Sequence, residues 1–340
     1  MRHFKQKPRD TGLSTEKSQG PDNRGNTNLP PGSEPITGEL YLELIRLPKL
    51  GHSLKSCDDA WGFFDGKIHV CAEAQTCEIR PLGSLKKPSG FTVAVSDGAS
   101  DSFDSGSWAR LLTKEAVCEG TVRKLMSIPS DASKVQHRQL GFIATRLRAW
   151  AAKLAQEWRQ QYNGSNLPWY LVEKLEQGAH ATLLVAEFLP SGPRRSSSNQ
   201  PVIWTYRVLA IGDNCLFHFR KNRLHNMIPN LDLDQFGNTP YLIATREDYN
   251  EQHLKPEAVN WAQGQFLAGD EIWIATDALS AWIARRCRNG NNNRPDVPVR
   301  LTEQFFHDLR ERRQIRNDDI TFLRVYSKSP SCAKPLKKQA

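Results

Sequence analysis

Residues 91–108 read F-T-V-A-V-S-D-G-A-S-D-S-F-D-S-G-S-W. Five strand-favouring residues, Phe91 to Val95, lead to Ser96 and Asp97, and Gly98 then breaks the extended pattern. A run rich in Ser, Asp and Gly follows. It opens into an amphipathic helix marked by Trp108, Ala109, Leu111, Leu112, Ala116 and Val117, with Ser107 as the expected cap. A carboxylate at the end of a buried strand is held by a stiff element yet open to solvent, which suits a metal ligand. Gly98 would let the backbone come close to whatever Asp97 holds. The plainer reading is a strand-to-turn junction in which Asp97 only caps the turn. Two further acidic strand ends favour the functional reading: Asp277 follows I-W-I-A-T, and Asp318 and Asp319 precede I-T-F-L-R-V-Y.

Working outward, residues 1–35 are rich in Gly, Pro, Asn, Ser and Lys and poor in large apolar side chains. A disordered N-terminal tail is expected there. Order should begin near Gly38, where E-L-Y-L-E-L-I-R-L alternates with the period of a strand. Asp58 and Asp59 stand just before a second strand, and a turn at Asp65 and Gly66 makes a hairpin with a third. Residues 73–90, with Pro81 and Pro88, read as a loop. Long and short helices are expected over 134–160 and 168–176, forming a helical layer on a sheet. From Gly178 the sequence turns to strands: 181–189, 201–214 and 215–224 read as an antiparallel meander whose exposed loop is Pro190–Pro201. Residues 226–255 read as irregular. Helices are expected after Asp277 and over L-T-E-Q-F-F-H-D-L-R-E-R-R, with a last strand after Asp319. Residues 328–340 form a basic C-terminal tail.

The chain has 340 residues, 39% of them hydrophobic and 24% charged, with no apolar run long enough to span a membrane. No apolar segment follows the basic N-terminus, so a cytoplasmic protein is expected. Seven cysteines without a C-x-x-C pair argue for free thiols and against a structural zinc site. The net charge of +9 is concentrated in the tails. Residues 1–30 hold six Lys or Arg against three Asp or Glu, and residues 327–340 hold four Lys and no acid, together +7. The remainder is close to neutral, so no nucleic-acid partner is expected.

Several carboxylates brought to one end of a layered sheet cannot all stay ionised without a compensating cation. Hard divalent ions such as Mg²⁺ or Mn²⁺ take oxygen ligands and keep waters. Two such ions about 3.5–4 Å apart, sharing an Asp, would position a water and lower its pKa for attack on a phosphoryl group. No G-x-S-x-G elbow and no G-x-x-x-x-G-K-[ST] loop is present to suggest a serine hydrolase or a nucleotide hydrolase.

In order and spacing, C-D-D-A, V-S-D-G-A-S, G-A-H-A-T-L-L, A-I-G-D-N-C-L-F, I-A-T-D-A-L and N-D-D-I-T-F resemble the metal-dependent protein phosphatases, the type 2C Ser/Thr (PPM) family. The pieces run over about residues 50–325. V-S-D-G-A-S with S-G-S-W-A-R-L-L, and F-G-N-T-P, are most similar to a bacterial branch. The resemblance implies an α+β fold, a four-layer sandwich of two antiparallel β-sheets flanked by helices, over residues 36–327. It implies a dinuclear Mg²⁺ or Mn²⁺ site, a phosphoprotein substrate, metal-bound water as nucleophile and a monomeric enzyme. Asp97 would bridge the ions, the Gly98 carbonyl would ligate one, and Asp277 and Asp318 would hold the other. Asp59, with Asp97, would be catalytic, and Asp58 would act through metal-bound water. Asp213 would be structural.

The departures are as specific. The family's phosphate-gripping Arg stands five residues before the second acid of the pair, which here is Leu54. Lys55 is adjacent and would supply charge without the bidentate fork of an Arg. T-D-A replaces S-D-G around Asp277, and A-S-D-S-F-D replaces a glycine-rich run. Of the histidines, His180 reads as a packed or surface residue rather than a ligand, and neither His52 nor His69 matches the family's general acid. A catalytically silent relative that binds a phosphoprotein is the alternative.

Overall fold

The computed structural model describes residues 40–66, 69–71, 76–82, 90–127, 136–191, 203–237 and 239–327. The expected tails, 1–35 and 328–340, and residues 192–201 of the Pro190–Pro201 loop lie outside the described residues. In chain order the first elements are β1 (Leu40–Leu47), β2 (Ala60–Phe64), β3 (His69–Cys71), β4 (Thr76–Leu82), β5 (Phe91–Ser96), α1 (Ser105–Val117), α2 (Thr121–Met126), α3 (Gln136–Gln160) and α4 (Trp169–Gln177). Then come β6 (His180–Ala181), β7 (Leu183–Ser191), β8 (Ile203–Ile211), β9 (Cys215–Arg220), β10 (Arg223–Ile228), β11 (Ile243–Ala244) and α5 (Glu247–His253). The chain continues through β12 (Asn260–Phe266), β13 (Glu271–Ala275), α6 (Asp277–Asn289), α7 (Glu303–Glu311) and β14 (Ile320–Ser327).

Two six-stranded antiparallel sheets result, ordered β10-β9-β13-β14-β1-β4 and β12-β8-β7-β5-β2-β3. Alternation along each strand sorts its side chains between two faces. In β5, Phe91, Val93 and Val95 enter the core between the sheets with Leu42 and Leu44 of β1 and Ile272 and Ile274 of β13, whereas Ala94 faces the helical cluster of α1 and α3. In β13 and β14 the alternate residues Trp273, Ala275 and Phe322 face a third core that contains Leu279 and Ile283 of α6 and Phe306 of α7. Three apolar interfaces therefore make four layers, as the resemblance implies. Full burial of each large apolar side chain contributes roughly 1.5–3 kcal/mol. Close layering also needs small residues: a Cβ on Gly62 of β2 would lie 2.8 Å from the Thr113 carbonyl oxygen of α1.

Several local expectations are corrected. The three strands after Gly178 are not one meander. β7 and β8 pair in one sheet, while β9 pairs with β13 and β10 in the other. The stretch 215–224 is a hairpin rather than one strand, turning at Lys221 and Asn222, both at positive φ, a two-residue geometry that joins strands without splaying them. Residues 73–90 are not wholly loop. β4 occupies the sheet edge beside β1, where Pro81 removes no interior ladder hydrogen bond. Within 226–255 lie β11 and α5, and β12, with polar Asn260, Gln263 and Gln265, pairs with β8 at the other edge. Ser107 is not the cap of α1; the helix starts after Asp104, and the Ser107 hydroxyl accepts a 2.8 Å hydrogen bond from Trp158 Nε1 of α3. Among the described residues no helix is long and apolar enough to cross a membrane.

Candidate active site

Strand register alone brings the acids together. Ala60 of β2 lies opposite Ser96 of β5, so Asp59, just before β2, and Asp97, just after β5, share one end of their sheet. In the other sheet Ala275 lies between Phe322 and Cys215, which places Asp277, Asp318, Asp319 and Asp213 at one end. Thr276 joins the two ends: its hydroxyl donates to Asp59 Oδ2 at 2.9 Å and accepts from the Thr321 amide at 2.9 Å.

Each acid is held differently. The backbone of Asp97 is fixed by Thr182, whose hydroxyl accepts from the Asp97 amide at 2.9 Å and from Asn214 Nδ2 at 2.7 Å. A Cβ on Gly98 would lie 2.8 Å from the carbonyl carbon and oxygen of Ser105. The glycine is therefore required by the first turn of α1, and its amide donates to the Asp58 carbonyl at 3.3 Å. Asp59 is fully buried, and its Oδ1 has no partner. Asp213 likewise buries an unpartnered Oδ1, while its Oδ2 accepts from the Gly237 amide at 2.8 Å. Asp319 spends Oδ1 on the Lys49 amide at 2.8 Å and Oδ2 on the Asp58 amide at 2.7 Å. Asp319 thus clamps the loop that carries Asp58 and leaves Asp318 turned to the cluster.

The electrostatics follow from this crowding. Burial first, then the charges of Asp59, Asp277, Asp213 and Asp318, hold the Asp97 carboxyl well above the usual carboxylate range. Burial and Asp319 push Asp59 up in the same way, against the Thr276 hydrogen bond. Burial, Asp213 and Asp318 raise Asp277 to about 7, although Arg316 Nη2 pairs with its Oδ2 at 2.9 Å. Asp58, raised by burial and Asp319, is opposed by Lys49 and by the Ser105 and Ser100 hydroxyls.

Lys49 was not marked by any motif. Its ammonium lies 3.1 Å from Asp318 Oδ1 and 2.8 Å from Ser100 Oγ. Burial lowers its pKa, but Asp318, Asp319 and Asp58 more than offset this and raise it. Lys55 is exposed on the short 3-10 turn Leu54–Ser56, and no described residue pairs with it; the cation beside the acids is Lys49 instead. Arg316 was also missed, because a loop arginine carries no sequence signature. Thr276 and Thr182 stand inside quoted segments, yet nothing in those segments signals their cross-sheet and cross-strand bonds. His180 packs edge-on against Tyr249 with ring centroids 4.6 Å apart, and His52 is exposed. The His69 side chain lies outside what is described. Cys57, Cys118, Cys215 and Cys287 are free thiols.

The donors are all hard oxygens, two of them buried without partners, and burial and mutual repulsion push several of the carboxyls up; this set fits a divalent cation by chemistry. Among the described residues, no three His, Cys, Asp or Glu side chains converge closely enough to hold one ion as they stand. Asp277 and Asp318 instead carry Arg316 and Lys49.

No protein-family model matches the chain, and no curated protein matches it. Solved structures similar to it include the phosphatase domain of the cell fate determinant SpoIIE from Bacillus subtilis, 12% identical over 88% of this chain and 98% of that one, with a TM-score of 0.44. Serine/threonine phosphatase Stp1 from Staphylococcus aureus is 10% identical over 87% and 98%, with a TM-score of 0.44. The S. agalactiae serine/threonine phosphatase is 12% identical over 84% and 100%, with a TM-score of 0.42. At such identity and TM-score the similarity does not itself assign an activity to this chain.

Proposed function

We propose that this protein is a divalent-cation-dependent phosphatase acting on phosphoserine or phosphothreonine in proteins. The observation that carries the reading is the meeting of Asp59, Asp97, Asp213, Asp277 and Asp318 from both sheets at one end, with Asp59 Oδ1 and Asp213 Oδ1 buried and unpartnered. Asp97, the Gly98 carbonyl, Asp277 and Asp318 would hold two Mg²⁺ or Mn²⁺ ions, with Asp58 contributing through water. Such ions, when bound, draw charge from phosphoryl oxygens and acidify a water.

The chain's own residues supply the rest. Thr182 and Thr276 fix the Asp97 backbone and the Asp59 carboxyl in place before any ligand arrives. Asp59 Oδ1, buried without a hydrogen-bond partner, is an oxygen that can accept a proton or a charge. Lys49 stands where a phosphate oxygen can share it with Asp318, a point charge in place of the fork that Leu54 lacks. Arg316 must leave Asp277 Oδ2 if that oxygen is to serve as a ligand. All these groups come from one chain, so a monomer suffices.

The alternative, a silent phosphoprotein-binding module, is favoured by the same two ion pairs: Lys49 and Arg316 already neutralise part of the cluster. Hydrolysis of a phosphothreonine peptide with and without Mn²⁺ separates the readings. The phosphatase gives Mn²⁺-dependent release of phosphate that Asp97→Asn abolishes. No release from the folded protein with Mn²⁺ or Mg²⁺ would leave the binding module.

A further inference from the structure

The run S-G-S-W-A-R-L-L of α1 places an arginine, Arg110, beside the acidic cluster. Its neighbours Ala109 and Leu111 are buried, and the close approach of α1 to Gly62 of β2 holds the helix to the sheet. Gly106 stands one turn earlier. An ideal Cβ there would lie 3.1 Å from Asp58 Oδ1 and 3.2 Å from Arg110 Nη1. The carboxylate and the guanidinium therefore meet over Gly106, no farther apart than those two distances together. We infer that Arg110 is a phosphate-binding residue, its guanidinium taking phosphoryl oxygens of a phosphoserine or phosphothreonine at the Asp58 edge of the cluster. This rests on the reading that the cluster receives a phosphorylated protein.

The donors of Arg110 are unspent. The side chain is half-buried, and it makes no ion pair or hydrogen bond with any described residue. The acids that could have taken it are engaged elsewhere. The Asp58 carboxylate accepts from the Ser105 and Ser100 hydroxyls, and Asp104, just before α1, accepts from the Tyr162 hydroxyl. Gly106 keeps the space between the two groups open. Glycine within a helix costs roughly 1 kcal/mol relative to alanine, yet a methyl here would crowd both Asp58 and Arg110. Lys49, the other cation at the cluster's edge, is a point charge already shared by Asp318 and Ser100. Arg110 instead offers a planar fork that matches two oxygens of one phosphate, carried on a stiff helix.

The test measures binding rather than turnover. Inorganic phosphate is titrated by calorimetry into the full-length protein in saturating Mg²⁺ at fixed ionic strength. Saturable binding by the parent is expected, weakened at least about tenfold in Arg110→Gln and by less in Arg110→Lys, which keeps the charge and loses the fork. Glutamine and lysine both suit a helix, so both variants should keep the parent's unfolding temperature and Mg²⁺ binding. A phosphate affinity unchanged in Arg110→Gln, or no saturable phosphate binding by the parent, would overturn the assignment. The phosphatase reading is decided separately, by release of phosphate from a phosphothreonine peptide. Release by the parent with an unchanged Arg110→Gln affinity removes Arg110 alone. Weakened binding in Arg110→Gln without release by the parent keeps Arg110 and leaves the binding module.

Discussion

Arg316 pairs with Asp277 at 2.9 Å while its guanidinium lies directly over Gly237, where a Cβ would come 2.1 Å from Nη2. Gly237 also donates its amide to Asp213, so one turn holds two acids of the cluster and the cation between them. Gly237 is thereby part of the site's electrostatics, through its amide to Asp213 and its contact with Arg316.

Gly237→Ala should destabilise the protein by displacing Arg316 and by straining a backbone at φ 73, the latter alone by about 1–2 kcal/mol. Arg316→Ala in the same protein removes the clash. The double variant should be more stable than the two single effects predict, with a coupling of about 0.5–3 kcal/mol by urea denaturation.

Asp277, raised to about 7, binds its proton more tightly when folded than when unfolded. The native state therefore carries more protons, and the stability from this group is full at acid pH and lost as pH rises through about 7. Asp59 and Asp97, raised for the same reason, act in the same direction. His180, lowered by burial and by Arg246 and His253, opposes them as pH falls below its ordinary range. Thermal unfolding in chelator should show stability falling between about pH 4 and about pH 7. Asp277→Asn should flatten that fall, and Mn²⁺ should offset it most at the alkaline end.

Asp270 illustrates a buried acid with the opposite sign. Burial alone would raise its carboxyl, but hydrogen bonds from His218 at 2.8 Å and from Arg220 lower it. Its contribution is present above the unfolded carboxylate pKa and lost as pH falls below it. Asp270→Asn should cost roughly 3 kcal/mol near neutral pH, with no effect on Mn²⁺ binding measured by calorimetry.

Lys49→Met should change stability by no more than about 1 kcal/mol, since the pair it forms with Asp318 is partly exposed. If Lys49 grips phosphate, KM for a phosphothreonine peptide should rise more than kcat falls, and Lys49→Arg should recover most of the loss.

The layers were legible because alternation and helical periodicity are local. β5, α3, α6 and β14 fall where their apolar spacing places them. β12 was not legible, since an edge strand with Asn260, Gln263 and Gln265 lacks the burial that writes alternation into sequence. The split of β8 from β9 across two sheets is a tertiary choice that no local pattern encodes. Of the site, Asp59, Asp97, Asp277 and Asp318 stood out as carboxylates at strand ends. Lys49, Arg316 and Thr276 did not, because their places depend on contacts between residues 39 to 270 positions apart.

Mn²⁺ titration of the chelator-treated protein by calorimetry, beside Asp97→Asn, tests the central claim most directly. Two ions bound per chain, with at least one lost in the variant while its fold is kept, is the predicted result. A folded parent protein with no saturable Mn²⁺ binding would contradict the account.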